Sequence, residues 1–396
     1  MNPLKQWQRP DILLLLMAVA VPLSFSAWNA LLNNFAIERI AFTGKEMGIL
    51  QSLREVPGFL AFGVVFLLLL IREQSLAIIA LLLLGIGTAL TGFFPSVIGL
   101  YLTTVLMSLG FHYYETLQTS LTLQWIDKDK TAETLGKLIA FGSMAAIVTF
   151  LLIWLADNFL QLDYRWMYLG FGGMTSLIAL AAWMLFPKFP QQTEQHKHMV
   201  VRQRYWLYYA LVFMSGARRQ IFVVFAGFLM VERFAYSVSD IALLFLINAG
   251  MNVLFAKKIG RLIHRIGERK ALLIEYSGLI LVFSGYALVQ HSGLAAGLYV
   301  LDHLLFAMAI TLKTYFQKIA APEDIASTAG VSFSINHIAA VVIPAAFGLL
   351  WLVSPALVFL CGAGMAFISL LLSLLIPPNP TRGKETVLSQ NPQAQY

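Results

Sequence analysis

Residues 76–96 read LAIIALLLLGIGTALTGFFPS and include no charged side chain. An α-helix rises about 1.5 Å per residue, so about 20 apolar residues cross the roughly 30 Å hydrocarbon core of a bilayer. The segment lacks the period-two alternation that a transmembrane barrel strand requires. It therefore predicts a membrane-spanning helix.

Eleven further apolar runs of similar length predict an all-α integral membrane protein with twelve transmembrane helices. A polar linker, 188–204, divides them into an N-terminal six-helix bundle (1–187) and a C-terminal six-helix bundle (205–377). Residues 378–396 are rich in Pro, Gln and Asn and are expected to form a disordered cytoplasmic tail. The twelve spans are 12–36, 48–71, 76–96, 98–123, 135–157, 166–187, 205–231, 239–258, 270–290, 294–317, 328–352 and 354–377.

The composition agrees with this prediction. Of 396 residues, 59% are hydrophobic and 12% charged, against about 25% charged in a soluble domain. Such a chain is neither a soluble enzyme, a disordered protein nor a nucleic-acid binder, and its single cysteine, Cys361, excludes a disulfide scaffold. No phosphate-binding loop of the G-x-x-x-x-G-K-[ST] type occurs, so ATP is not expected to drive it, and no cofactor, metal site or enzymatic activity is predicted.

Lys and Arg set the expected orientation. With the N-terminus inside, the inner segments carry nineteen of them and the outer segments four, as the positive-inside rule requires. The net charge of +7 is therefore mainly a topology signal. We expect a multi-pass protein of the cytoplasmic (inner) membrane with both termini cytoplasmic. A signal peptide ending at Ala27 is the competing interpretation, but apolar residues continue to Phe35.

The two halves repeat each other. The segment from Gln124 to Gly136 leads into the fifth span, and the similar segment from Gln317 to Gly330 leads into the eleventh. Duplicated six-span halves joined by a polar linker suit alternating access around a central substrate site.

The loop between spans 8 and 9, residues 260–272, reads GRLIHRIGERKAL. It resembles the G-x-L-x-D-R-x-G-R-[KR]-x-x-L loop of the major facilitator superfamily, with His264 in place of the family's Asp and Glu268 in place of its first basic residue. The resemblance implies two bundles built from inverted three-helix repeats, and a loop that controls opening of the inner face. The expected gating residues are Gly260, His264, Arg265 and Gly267, together with the Arg54–Glu55 pair of span 2, for which a structural ion pair is the alternative.

Polar side chains at membrane depth are concentrated on spans 1, 4, 7 and 10. Spans 3, 6 and 12 have no charge in their interiors, and span 9 has only Glu275. A charge there costs at least ~2.5 kcal/mol, so each is a functional candidate. The family resemblance implies that these four spans line the cavity. The expected substrate contacts are Arg218, Arg219, Trp28, Asn29, Asn33, Tyr113, Tyr114 and Gln220.

Adjacent residues on a helix point about 100° apart, so one of Arg218 and Arg219 is expected to face the cavity and the other a partner such as Asp302 or Glu115. The expected proton-coupling residues are Glu115, His112, Asp302 and His303. A metal at His112 and Glu115 would need further carboxylates nearby and is not predicted.

These residues predict a monomeric secondary active transporter, coupled to protons, whose partners are the lipid bilayer and a small-molecule substrate. Paired arginines at mid-depth favour a small organic anion. The alternatives are a proton-driven efflux pump for lipophilic or cationic drugs and, more remotely, a membrane sensor or enzyme without flux. Span 5 has no proline, which disfavours the drug/proton antiporters of the family.

Overall fold

The computed structural model describes residues 7–126, 128–190, 201–321 and 324–389. Within these ranges the chain is almost entirely helical. The helices are α1 (Pro10–Ile40), α2 (Gly44–Phe59), α3 (Val64–Leu68), α4 (Glu73–Thr91), α5 (Val97–Trp125), α6 (Lys128–Leu155), α7 (Tyr164–Leu185), α8 (Trp206–Phe234), α9 (Val238–Ile266), α10 (Glu268–Leu288), α11 (Ser292–Phe306), α12 (Ile310–Ile319), α13 (Ile325–Trp351) and α14 (Pro355–Ser373).

Among the described residues, eleven helical segments are long and apolar enough to cross a membrane. The predicted second span is broken instead of continuous: α2 and α3 are joined by a 3₁₀ turn, Leu60–Gly63. Pro57 lies within α2, where it removes an amide donor and its ring clashes with the preceding turn. Residues 44–68 still cover roughly 37 Å as a helix. The predicted all-α membrane class is confirmed, and the second span is corrected to a broken helix.

The chain forms two compact units. The first comprises Met1–Phe42, Leu53–Gln195 and Tyr236–Leu246, and the second Thr43–Ser52, His196–Ala235 and Ile247–Tyr396. The start of α2 belongs to the second unit and the start of α9 to the first. The domain boundaries within 188–204 stay a prediction, since 191–200 lie outside the described residues.

Corresponding helices pack together in the two units. In the first unit, α1 packs against α6 and α7, and α4 against α5 and α7. In the second, α8 packs against α13 and α14, and α10 against α11 and α14. When the helices are numbered by predicted span, the first unit has the pairs 1–5, 1–6, 3–4 and 3–6. The second unit has 7–11, 7–12, 9–10 and 9–12, which are the same pairs with six added to each number. The structure therefore repeats at the level of helix packing.

A second repeat lies where each unit's first helix ends. Residues 38–46 read ERIAFTGKE and residues 232–240 read ERFAYSVSD. Ala41 and Ala235 close α1 and α8 in the left-handed conformation, with φ of 57° and 53°. In each copy an acidic side chain then accepts a backbone N–H at the next helix start: Thr43 to Glu46 at 3.1 Å and Ser237 to Asp240 at 2.9 Å. Each of these bonds is one of the two hydrogen bonds of a capping box, the motif in which a Ser or Thr and an acidic residue three positions later cap a helix N-terminus.

The predicted disordered tail needs correction up to Ser389. The Val387 amide donates to the Leu375 carbonyl at 2.8 Å, and the Tyr315 hydroxyl donates to the Glu385 carbonyl at 2.5 Å. Glu385 and Thr386 are buried. Backbone groups of the tail thus form hydrogen bonds with Tyr315 on α12 and with Leu375 just after α14. The polar composition of the tail does not predict such bonds. Residues 390–396 lie outside the described residues.

Glycines allow close helix packing in the first unit. A Cβ built on Gly172 of α7 would lie 2.3 Å from the Ala89 nitrogen and 2.5 Å from the Gly85 oxygen of α4, whereas one built on Gly173 meets nothing within 4 Å. Small residues at such contacts let helix backbones approach in lipid, where dispersion forces drive association.

We expect Gly172→Ala to lower the free energy of unfolding by about 1–3 kcal/mol, the range for overpacking a filled interface. The neighbouring Gly173→Ala is the matched control and should cause no loss. Thermal unfolding of the purified protein in detergent measures both. Equal effects of the two substitutions would contradict close packing at Gly172.

Candidate functional site

The first unit contains a buried ion pair on α2. Arg54 and Glu55 are 8% and 7% exposed, and an Arg54 Nη2 donates to Glu55 Oε1 at 2.5 Å. The guanidinium lies 5.9 Å from the ring centroids of Phe25 and Trp28 on α1, and Ser108 of α5 donates to the Arg54 carbonyl. Arg54 thus contacts α1 and α5, and the gating role of the pair stays a prediction.

His112 and Glu115, the predicted proton-coupling pair of α5, differ in environment. His112 is buried, with a ring nitrogen within 4.8 Å of a Glu55 carboxylate oxygen. Glu115 is exposed. Their spacing predicted that both lie on one face of α5, but only His112, which lies near Glu55 of α2, is buried.

The other predicted substrate contacts of the first unit differ in accessibility. Trp28, Asn33 and Tyr114 are buried in packing, whereas Asn29 and Tyr113 remain half-buried. The indole nitrogen of Trp28 and the hydroxyl of Tyr114 have no hydrogen-bond partner among the described residues. Substrate contact stays a prediction for all of them, and its best-placed members are Asn29 and Tyr113.

In the second unit Arg218 is buried among three helices. It is 2% exposed, and its guanidinium reaches Glu275 Oε1 of α10 at 3.5 Å and Ser369 Oγ of α14 at 3.2 Å. It also lies 4.9 Å from the ring centroid of Tyr276. The ion-pair partner of Arg218 is thus Glu275, which the sequence analysis did not name as its partner, and Asp302, one of the suggested partners, also interacts with Arg218 electrostatically. The sequence did indicate Glu275 as a candidate, because it is the one charged residue in the interior of span 9.

Arg219, the adjacent residue, is exposed. Its guanidinium lies 4.9 Å from the ring centroid of Phe306 on α11. The sequence prediction that the two arginines point in different directions agrees with this arrangement. Gln220 is half-buried, and its Oε1 has no hydrogen-bond partner among the described residues.

Asp302 and His303, two of the predicted proton-coupling residues, lie on α11. Asp302 is 7% exposed and interacts electrostatically with Arg218, Glu275 and Arg219. The His303 Nδ1 lies 2.9 Å from the Tyr299 carbonyl, and its ring packs 4.5 Å from the Tyr299 ring. Asp302 thus interacts with the buried Arg218–Glu275 pair of the second unit.

The predicted gating loop forms a turn between α9 and α10. Gly267 has a φ of +82°, which glycine adopts without steric cost, while Gly260, His264 and Arg265 lie exposed at the end of α9. Glu268, which departs from the family pattern, is buried and pairs with Lys318 of α12 at 2.7 Å. The gating role of this loop stays a prediction.

A charge cluster that the sequence did not predict joins the start of α8 to the segment before α13. Arg202 and Arg204 bind the two oxygens of Asp324 at 3.0 and 2.5 Å, and the Tyr205 hydroxyl donates to Asp324 Oδ2 at 2.9 Å. Burial raises the pKa of the Asp324 carboxyl, but the hydrogen bonds from Arg204, Arg202 and Tyr205 outweigh it and hold this pKa below its usual range. The acid therefore stays ionised at neutral pH.

The sequence matches the Major Facilitator Superfamily over residues 12–344. The chain belongs to this family. It is a membrane transporter and not an enzyme, as the sequence predicted. No curated protein matches it significantly.

Solved transporters share the fold. A variant of the nucleoside transporter NupG aligns with a TM-score of 0.76 at 15% identity, covering 92% of this chain and 99% of that one. A POT family peptide transporter gives 0.72 at 13%, covering 92% and 96%. A bacterial homologue of the human lysosomal transporter Spinster gives 0.71 at 14%, covering 92% and 95%. At these identities the likeness establishes the fold alone.

We expect Arg218→Met to cost about 3–5 kcal/mol of stability, because it removes the cation from a buried carboxylate. Arg218→Met combined with Glu275→Leu should recover most of that loss, since apolar residues can replace a buried pair at little cost. Thermal unfolding in detergent measures both. Arg219→Met, at the exposed neighbour, is the control and should have little effect. A double variant no more stable than Arg218→Met would contradict the pairing.

Proposed function

We propose that this transporter carries a small organic anion, coupled to protons, across the inner membrane by alternating access. It works as a monomer with both termini in the cytoplasm. The observation that carries the anion assignment is the separation of the two arginines: Arg218 serves the internal ion pair, and Arg219 lies on an accessible face.

The position of Arg219 on α8 supports substrate contact. Phe213, Arg219 and Val223 are the exposed residues around it, and at 3.6 residues per turn they fall, together with half-buried Gln220, within an arc of about 120°. On its other faces α8 packs against α11, α12, α13 and α14. A planar guanidinium on this face suits a carboxylate or phosphate, which it binds through two parallel hydrogen bonds. Phe306 beside it offers an apolar surface for the organic part of a ligand.

The structural neighbours do not select the substrate. They include a nucleoside transporter and a peptide transporter, so one fold serves different chemistries, and specificity depends on the side chains of the site. Efflux of lipophilic cations is the competing function. An arginine on the accessible face of α8 disfavours it, because like charges repel.

Anions should stabilise the wild-type protein against heat, because a ligand that binds only the folded state raises its apparent stability. The probes are a panel of monocarboxylates, dicarboxylates and phosphate monoesters, with tetraphenylphosphonium as the lipophilic cation. We expect Arg219→Ala to weaken binding of the best anion by about 30-fold or more, corresponding to loss of a charged contact worth at least ~2 kcal/mol.

Val223→Ala, on the same face of α8, is the matched control and should change anion affinity by less than Arg219→Ala. Arg219→Lys should retain part of the affinity, because it keeps the charge and loses the planar pair of donors. Tighter binding of tetraphenylphosphonium than of any anion would replace the anion assignment by drug efflux.

Asp302 is the better placed of the two acids among the predicted proton-coupling residues. It is buried, whereas Glu115 is exposed. A low-dielectric surrounding disfavours the ionised form of an acid, so a buried carboxyl can bind a proton near neutral pH while an exposed one stays ionised.

Asp302→Asn should abolish accumulation of the anion driven by a pH gradient but leave exchange of anion across the membrane intact, because exchange needs no net proton movement. Glu115→Gln, the matched substitution at the exposed acid, should keep both. Proteoliposomes loaded with the best anion of the panel, with and without a pH gradient, measure the two fluxes. If Glu115→Gln alone removes the accumulation, Glu115 is the carrier.

A further inference from the structure

The first residues of α4 and α10 are acids at matching places in the two units. Helix α4 begins at Glu73 and α10 at Glu268, and each of these side chains is buried, with 3% exposed. Each acid contacts the end of the next span, where its partner is Gln124 of α5 or Lys318 of α12. Both partners are the last residue but one of their helix. The repeat therefore pairs one acid with an amide and the other with an ammonium group.

The ammonium group of Lys318 satisfies both oxygens of Glu268. Its Nζ lies 2.7 Å from Oε1 and donates to Oε2 at 2.8 Å. Gln124 does less for Glu73, because its Nε2 donates to Glu73 Oε2 at 2.7 Å and to Ser120 Oγ at 3.1 Å, which uses both of its hydrogens. Glu73 Oε1 and Gln124 Oε1 are buried and have no hydrogen-bond partner among the described residues. Two buried acceptors of this pair thus lack a donor, which is costly in a folded protein.

Glu73 also lies in the wall of a cavity of about 290 Å³. Trp125 and Phe189 line this cavity as well, and their ring centroids are 5.1 Å apart. Gln74 fixes the wall: its Nε2 donates to the Pro187 carbonyl at 2.9 Å, and its Oε1 accepts from the Phe189 amide at 2.9 Å. The segment after α7 is therefore tied to the start of α4 around the cavity.

Two cations line the same cavity. Arg72 and Lys188 are exposed, and neither has an ion-pair partner in the part of the chain that the structure describes. Among the charged side chains described in the wall, these two cations outnumber the one acid, Glu73. A ligand with an ammonium group alone would add to the excess of positive charge. A ligand that also carries a phosphate or a carboxylate offsets it.

We propose that this cavity binds a small zwitterion that carries a primary ammonium group and a phosphate or carboxylate. The ammonium group donates to the unpartnered oxygens of Glu73 and Gln124, since it has three N–H donors for two acceptors. The acidic group faces Arg72 and Lys188, whose side chains suit such anions. The ligand thereby does for the first unit what Lys318 does for the second from within the chain.

This site belongs to the first unit and Arg219 to the second, so binding here depends neither on the proposed substrate nor on proton coupling. Two kinds of molecule carry the required groups: a soluble amino acid or amino phosphate, and the headgroup of a phospholipid with a primary amine. Because the ligand contacts α4, α5 and the segment after α7, its binding stabilises the folded first unit.

Thermal unfolding of the purified protein, in detergent without added phospholipid, measures binding of a soluble ligand. Ethanolamine phosphate should raise the unfolding temperature. Choline phosphate has the same phosphate but a nitrogen without N–H donors, so it should bind about tenfold more weakly or worse. Inorganic phosphate tests the anion alone and should also bind weakly. Nanodiscs of phosphatidylethanolamine and of phosphatidylcholine apply the same contrast to the lipid.

The ligand series has four outcomes. A response to ethanolamine phosphate assigns the site to soluble zwitterions. A response to phosphatidylethanolamine over phosphatidylcholine, with none to ethanolamine phosphate, assigns it to the lipid headgroup. Equal responses to the ethanolamine and choline compounds, or no response to any of them, overturn the proposal.

Gln124→Lys supplies the ammonium group from the chain itself, as Lys318 does for Glu268. We expect this variant to unfold at a higher temperature without ligand and to lose the response of wild type. Glu73→Gln should weaken binding about tenfold or more, because it removes the carboxylate. Glu268→Gln, the same change at the matching acid of the second unit, is the control and should leave the response unchanged.

A full response retained by Gln124→Lys contradicts the site, and so does an equal loss in Glu268→Gln and Glu73→Gln. Because Gln124→Lys keeps the carboxylate of Glu73, the test stands even where Glu73→Gln fails to fold.

Discussion

Charges in the interior of a membrane protein must be balanced by the protein itself, because neither water nor salt is present there to do so. This constraint explains the two buried ionic groups. Arg54 and Glu55 neutralise each other on α2, and Arg218 pairs with Glu275 of α10 and interacts electrostatically with Asp302 of α11. The helices that carry these side chains cannot change neighbours without a cost in electrostatic energy. The same positions therefore restrict both the packing of each unit and the ways in which it can move.

Most of the fold could be predicted from the sequence because the bilayer restricts the possible structures. Backbone groups in lipid have to be satisfied within the segment, so apolar runs of about 20 residues must be helices. The break between α2 and α3 was not predicted, since Pro57 lies in an otherwise apolar run and proline in transmembrane helices does not always break them. The ordered part of the tail was missed for a different reason. Its contacts to Tyr315 and Leu375 use backbone groups. Because residues of every type carry such groups, the amino-acid composition does not indicate these contacts.

The site was predicted less well than the fold. Helical geometry alone predicted that Arg218 and Arg219 point in different directions, and the structure agrees. Which helix each would face depends on tertiary packing, and periodicity does not contain that information. Glu275 was visible as the one charge in the interior of span 9, but the three-span pattern of polar residues directed attention to other helices. The repeat at 38–46 and 232–240 was also present in the sequence, although short loops between long apolar runs carry little weight in a search for spans.

The two buried ion pairs differ in what they fix. Arg54 and Glu55 are neighbours in sequence, so their attraction moves with α2 and survives any rearrangement of that helix. Arg218 and Glu275 lie on separate helices, so their attraction exists only while α8 and α10 keep their relation. A proton that neutralises Glu275 removes this attraction, whereas a proton on Glu55 would leave the helix contacts of α2 to Phe25 and Trp28 largely in place. Of these two pairs, only Arg218–Glu275 therefore makes the contact between two helices depend on the charge of an acid.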